Sequence, residues 1–313
     1  MTMDITRSGI EAARRRIAGD VRRTPLLRLR GSELGIDCAE LWLKLENLQV
    51  GGSFKARGMF NRMRSNPVPE AGVVIASGGN AGIAVAVAAK ALGVRCEVFV
   101  PEAASPAKRA KLAELGAHLT VTGASYGDAL AASLERQAQT GALLMHAYDQ
   151  REVVIGAGTL AAEVEEDASV PDRVLVSVGG GGLIGGIAAW FRDRCWIDAL
   201  EPELAPTLFR AREAGRPVDV EVSGIAADSL GARRIGGIAW ELTQRYVDAA
   251  HLLSDADIRA AQEAMWKELR LAVEPAAALP LAALTTGIVA PRSEARVLLV
   301  ICGANLALAA LPV

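Results

Sequence analysis

The sequence predicts an α/β protein with open, mostly parallel sheets flanked by helices. Three observations carry that expectation. Short β-rich runs alternate with longer helical stretches through the middle of the chain, the pattern of βαβ units. The β runs are apolar rather than alternating, as strands covered on both faces must be. Two of these runs end in glycine-rich loops that open helices, one near residue 77 and one near residue 180.

The elements follow in order. Val73-Val74-Ile75-Ala76 reads as a strand, and Ala81 to Leu92 as a helix with small residues on every side, hence buried. Cys96 to Val100 is the next strand, stopped by Pro101. Ser105 to Leu115 has helical periodicity and ends at Gly116, a natural stop. Leu119-Thr120-Val121 is a third strand, Tyr126 to Thr140 a helix, and Leu143-Leu144-Met145 a fourth strand. A helix over Gly158 to Glu166 precedes the strand Arg173 to Val178. The uncharged segment Val297 to Val313 is too broken by Gly303, Asn305 and Pro312 to span a membrane, which needs about 20 apolar residues. It reads as a buried strand followed by a terminal loop.

Composition narrows the function. The chain has 313 residues, 51% of them hydrophobic, and a formal net charge of −2. Disorder requires low hydrophobicity and high net charge, so it is excluded. The missing basic excess argues against a nucleic-acid partner. Cys38, Cys96, Cys195 and Cys302 form no CxxC pair, so neither a zinc site nor a redox pair is suggested. The N-terminal segment is charged throughout and lacks the apolar core of a signal peptide. A soluble cytoplasmic protein without membrane partners is expected. Glycine is in excess: 31 residues, against roughly 22 at the usual frequency of about 7%.

The excess glycines cluster where chemistry is expected. Gly179-Gly180-Gly181-Gly182-Leu183 follows a strand and opens a helix. Successive backbone N–H groups and the positive helix end would cradle a phosphate there; the plainer reading is a tight turn. The segment is neither a P-loop nor a clean dinucleotide fingerprint. In Gly51-Gly52-Ser53-Phe54-Lys55 a lysine stands at an apparent helix start. The positive helix end would disfavour its ammonium, and a neutral amine forms Schiff bases; otherwise Lys55 is an ordinary surface residue. Ser77-Gly78-Gly79-Asn80 closes one strand and opens a helix, which suits a carboxylate. The plainer reading is a helix start capped by Ser77 or Asn80. Cys302 and Gly303 close the last strand, where a buried cysteine is common.

Taken together, these segments resemble the fold-type II pyridoxal-phosphate enzymes, the tryptophan synthase β-like group. More narrowly, they are similar to the serine/threonine dehydratase (ammonia-lyase) family. The motifs GGSFKARG, SGGNAG, GGGGL and CGAN occur in the family's order. Leu43 to Gln49, Gly156 to Thr159, Leu200 to Glu203 and Val273-Glu274-Pro275 also match, so the similarity runs from Thr24 to Asn305. The resemblance implies that Lys55 binds pyridoxal 5'-phosphate as a Schiff base and later acts as general base. It implies that Phe54 packs near the ring, that Asn80 hydrogen-bonds the ring 3'-oxygen, and that Cys302 faces the pyridine nitrogen. Gly179, Gly180, Gly181, Gly182 and Leu183 would hold the phosphate. Ser77, Gly78, Gly79 and Asn80 would receive the substrate carboxylate. The implied reaction is conversion of L-threonine, L-serine or both to a 2-oxo acid and ammonia. Other readings are elimination or replacement on another 3-hydroxy amino acid, racemisation, and a catalytically silent cofactor-binding protein.

Departures from the family sharpen these expectations. Ala81 stands where many relatives have histidine, and together with Cys302 it resembles the serine dehydratase branch. Gly78 stands where serine racemases carry a second serine, and glycine has no proton to move. Relatives that bind a cation do so near the Glu-Pro matching Glu201-Pro202. Thr207 replaces a later acidic ligand, so no divalent metal is expected, and either a monovalent cation or none. His118, His146 and His251 lie outside every motif and read as structural or exposed. A large domain of residues 1–60 and 150–313, a small domain of residues 61–149, and a homodimer are expected. No regulatory domain is expected beyond the Cys302 strand.

Overall fold

In the computed structural model, which describes residues 5–104 and 106–306, two sheets organise the chain. The helices are α1 (Arg7–Ile17), α2 (Lys55–Ser65), α3 (Asn80–Leu92), α4 (Pro106–Glu114), α5 (Tyr126–Thr140), α6 (Arg151–Asp167), α7 (Gly182–Phe191), α8 (Thr207–Ala214), α9 (Ala227–Leu230), α10 (Gly237–Tyr246), α11 (Asp255–Leu269) and α12 (Pro275–Thr285). The strands are β1 (Leu26–Arg30), β2 (Glu40–Lys44), β3 (Val73–Ala76), β4 (Cys96–Val100), β5 (His118–Val121), β6 (Leu143–Leu144), β7 (Arg173–Ser177), β8 (Trp196–Pro202), β9 (Ala249–Leu253) and β10 (Arg296–Val300).

The larger sheet has the order β1-β2-β10-β7-β8-β9, and the smaller β5-β4-β3-β6. Every pairing is parallel except β1 with β2. The expected α/β architecture of two open, mostly parallel sheets is therefore present. Strands β3 and β4 are buried along their whole length, which explains their unbroken apolar sequence. One core surrounds the large sheet, and a second joins the small sheet to α2 and α3.

Two expectations need correction. Helix α6 begins at Arg151, seven residues before the predicted start at Gly158. Glycine lowers helix propensity, but here Gly156 serves close packing. A Cβ on Gly156 would lie 2.5 Å from the Arg57 carbonyl oxygen, so only glycine lets α6 meet α2. The expected border between residues 60 and 61 falls inside α2, whose Met59, Phe60 and Met63 pack with the small-sheet core. The predicted start at Ser105 and the terminal loop after Leu306 lie outside the described residues.

The approach of α2 to α6 encloses a buried ion cluster. Arg57 is fully buried and reaches Glu46 through Nε at 2.8 Å and Nη2 at 2.7 Å. Its Nη1 donates to Glu163 Oε1 at 2.7 Å, and its Nη2 to Glu163 Oε2 at 2.8 Å. Lys44, also fully buried, donates to Glu163 at 2.7 Å and to the Thr24 carbonyl at 2.8 Å. The Thr24 hydroxyl completes the group by donating to Glu46 at 2.5 Å. Two cations thus balance two carboxylates, with nearly every donor satisfied. Burial alone would raise the Glu46 carboxyl, but the Arg57 charge and hydrogen bonds hold it below its usual range. Removing Arg57 would leave two buried carboxylates uncompensated. Arg57→Met is expected to cost about 3–5 kcal/mol, read as a lower urea midpoint; an unchanged midpoint would contradict the role assigned to the cluster.

Candidate active site

Both parts of the fold contribute to one cavity. Its lining includes Phe54, Lys55, Asn80, Gly179, Gly180, Gly181, Gly182, Leu183 and Cys302. The motifs thus converge as expected, although they are spread over some 250 residues of sequence. Three expected residues do not line the cavity: Ser77, Gly78 and Gly79. They form the loop before α3, opposite the α9 segment, where a Cβ on Gly79 would stand 3.2 Å from the Asp228 carbonyl oxygen. The capping expectation is also corrected. The N-cap of α3 is Gly79, Asn80 is its first residue, and Ser77 Oγ accepts from the Gly79 N–H at 3.3 Å.

Lys55 is the first residue of α2, two positions before the buried Arg57. Its Nζ donates to the Ala147 carbonyl at 2.7 Å and stands 5.0 Å from the Phe54 ring centre. The Phe54 N–H is tied to the Cys302 carbonyl at 3.1 Å, which joins the start of α2 to the end of β10. Burial lowers the Lys55 amine to about 8, partly offset by the nearby Cys302 and Glu274. Desolvation, rather than the helix end alone, makes this amine available in neutral form.

The polyglycine segment spans the turn from β7 into α7. Gly181, at φ 89°, is the N-cap of α7. The first N–H groups of a helix lack intrahelical acceptors, so those beginning at Gly182 are open to an anion. A Cβ on Gly180 would lie 2.3 Å from the Tyr148 ring, so only glycine lets this turn pack against Tyr148 while its backbone lines the cavity. This cradle and the buried amine fit a phosphate-bearing aldehyde such as pyridoxal phosphate. Cys302 is buried, and burial together with Glu274 pushes its thiol well above the ordinary range.

The site also contains residues without an expected role. Glu274, the N-cap of α12, is buried and accepts from Asn80 Nδ2 at 2.7 Å. Burial raises its carboxyl, while Ser229, Asn80 and the Lys55 charge oppose that rise. Ser177 donates to the Ala276 carbonyl at 2.6 Å and fixes β7 to α12. His146 stacks edge-on against Tyr148, with ring centres 4.6 Å apart, and its Nδ1 accepts from the N–H groups of Tyr148 and Asp149. It is structural, as expected, but it braces the loop that carries the Lys55 acceptor. Val273-Glu274-Pro275 was a sequence signal for Glu274; nothing local marked His146.

At the resemblance's cation position, Glu201 is buried and caps the start of α8, accepting from the Leu208 and Phe209 N–H groups at 2.7 Å each. Burial raises its carboxyl to about 7 against these hydrogen bonds. Among the described residues, no three His, Cys, Asp or Glu side chains are grouped to hold a metal. The pH dependence of Lys55 is testable. Because its folded-state value is depressed from 10.5 to about 8, the buried ammonium penalises folding below pH 8, and the penalty is relieved as pH rises towards 10.5. The rate of pyridoxal-phosphate capture, followed by visible absorbance, is expected to rise with a midpoint near 8; a midpoint near 10.5 would contradict the assignment.

Comparisons with known proteins agree with this geometry. The family described as "Pyridoxal-phosphate dependent enzyme" matches residues 17–303. An L-threonine ammonia-lyase from Geobacter sulfurreducens is 36% identical over 88% of this chain and 69% of its own length. A phenylserine dehydratase from Ralstonia pickettii is 34% identical over 95% of this chain and 92% of its own. The solved structure of maize serine racemase superposes with a TM-score of 0.91 at 29% identity, covering 98% of this chain and 95% of that one. The chain therefore belongs to the fold-type II pyridoxal-phosphate-dependent enzymes, within the threonine/serine dehydratase family.

Proposed function

We propose that the chain is an ammonia-lyase that converts L-threonine, L-serine or both to the corresponding 2-oxo acid and ammonia. One observation carries this reading: a buried amine depressed to about 8 shares a cavity with a polyglycine helix start. Phe54, Lys55, Asn80, Gly179 to Leu183 and Cys302 would hold pyridoxal phosphate, which when bound supplies an electron sink. The Gly182 end of α7 orients its phosphate. Asn80 lines the cavity, and the adjoining Ser77 to Gly79 loop at the positive end of α3 would bind the substrate carboxylate at its edge and so fix the orientation of Cα. Lys55 then takes the Cα proton as general base. Cys302, a neutral thiol, cannot hold a proton on a facing nitrogen as a carboxylate would. That weakens the sink and favours prompt loss of the β-hydroxyl over slower side reactions.

Racemisation needs a second proton carrier on the opposite face of Cα, and Gly78 offers none. A homodimer and a cytoplasmic setting accompany this reading; light scattering on the purified protein checks the first. Among the described residues, no helix is long and apolar enough to cross a membrane.

The deciding experiment is a panel of 3-hydroxy amino acids assayed for 2-oxo acid and ammonia. L-threonine or L-serine is expected to react, and Lys55→Ala to lose at least about 10³-fold in turnover. Full activity of Lys55→Ala, or activity only with O-acetylserine plus a nucleophile, would overturn the reading.

A further inference from the structure

Asn80 is held from two sides. Its Nδ2 donates to Glu274 Oε1 at 2.7 Å, and its Oδ1 accepts from Asn305 Nδ2 at 2.7 Å. The amide of Asn305 is fixed in turn. Its Nδ2 also donates to the Gly51 carbonyl at 2.8 Å, and its Oδ1 accepts from Lys111 Nζ at 2.7 Å. An ammonium only donates and a carboxylate only accepts. The two ends of this chain therefore dictate every orientation between them. Rotating the Asn80 amide by half a turn would set oxygen against the Glu274 carboxylate and N–H against the Asn305 N–H. Both hydrogen bonds would become repulsions.

The remaining polar capacity of Asn80 is then defined. One Nδ2 hydrogen is used by Glu274, and the other is left on a residue that lines the cavity. We infer that Glu274 and Asn305 are positioning residues that lock the Asn80 amide as a hydrogen-bond donor towards the ring oxygen of the cofactor. The inference rests on the cofactor reading above and extends it to two residues without an assigned role. A donor at that point favours an ionised oxygen over a hydroxyl. Glu274 and Asn305 thereby govern the proton state of the group beside them without touching the substrate. Gly303 makes room for this carboxylate: a Cβ there would stand 2.2 Å from Glu274 Oε1, so only glycine lets the carboxylate reach its place beside Asn80.

The test is a double-mutant cycle on the pyridoxal-phosphate-loaded protein, read as its absorption spectrum and, in parallel, as kcat/KM. Asn80→Ala is expected to shift the visible band. Glu274→Ala and Asn305→Ala should shift it in the same direction, and adding Glu274→Ala to Asn80→Ala should change nothing further. Glu274→Gln should restore the wild-type spectrum, because glutamine keeps an acceptor for Asn80 and turns a donor to the Ser229 hydroxyl. The loss in kcat/KM for Glu274→Ala is expected to be roughly 10- to 100-fold. A wild-type spectrum in Glu274→Ala, or a shift that adds to that of Asn80→Ala, would overturn the proposal while leaving the cofactor reading intact. Should Glu274→Ala fail to fold, Asn305→Ala carries the same spectral test. An unshifted Asn80→Ala spectrum removes Asn80 from the ring and overturns the proposal at its root. A wild-type chain that takes up no cofactor overturns the functional reading, and the proposal with it.

Discussion

The buried cluster around Arg57 is the constraint from which the rest of the site follows. It ties α2 to α6, to β2 through Lys44, and to the segment after β2 through Glu46. Lys55 lies one half-turn away on the same helix, so its direction is set by groups that take no part in chemistry. A buried pair is weak evidence for net stability, because desolvation offsets much of the attraction. Its stronger effect is geometric. An arginine fork with two carboxylates has few alternative arrangements, and each would strand a charge.

Around that fixed helix start the fold assembles an environment for anions with almost no side-chain cations. Two helix ends, of α3 and α7, face the same region, and the nearest lysine is itself poorly able to stay charged. Helix ends supply positive potential without a mobile side chain. The amine is thereby free to act as nucleophile and base rather than being consumed as a counter-ion. Glu274 fits this balance because its carboxylate is spent on Asn80.

Much of this was legible in the sequence. Strands β3 and β4 and helix α5 begin and end where their apolar runs and stop signals place them. The polyglycine turn is marked by composition at a strand-to-helix junction, and Lys55 by its place between a Gly-Gly turn and a helix start. What escaped depends on contacts between distant segments. The sequence places the start of α6 at Gly158 because nothing local shows that α2 and α7 press against Gly156 and Gly158. The Asn80 amide reads as a cap, whereas its partners Glu274 and Asn305 lie 194 and 225 residues away. His146 has no motif, and its role comes only from the loop it braces. Sequence patterns report periodicity and turns; hydrogen bonds between distant segments leave no such period.

In the proposed function, Lys55 is the amine that captures the cofactor. Borohydride reduction of the pyridoxal-phosphate-loaded protein, followed by peptide mass spectrometry, tests it directly. A single phosphopyridoxyl group is expected, on the peptide containing Lys55. A label on Lys44, Lys108 or Lys111 with Lys55 unmodified would contradict it.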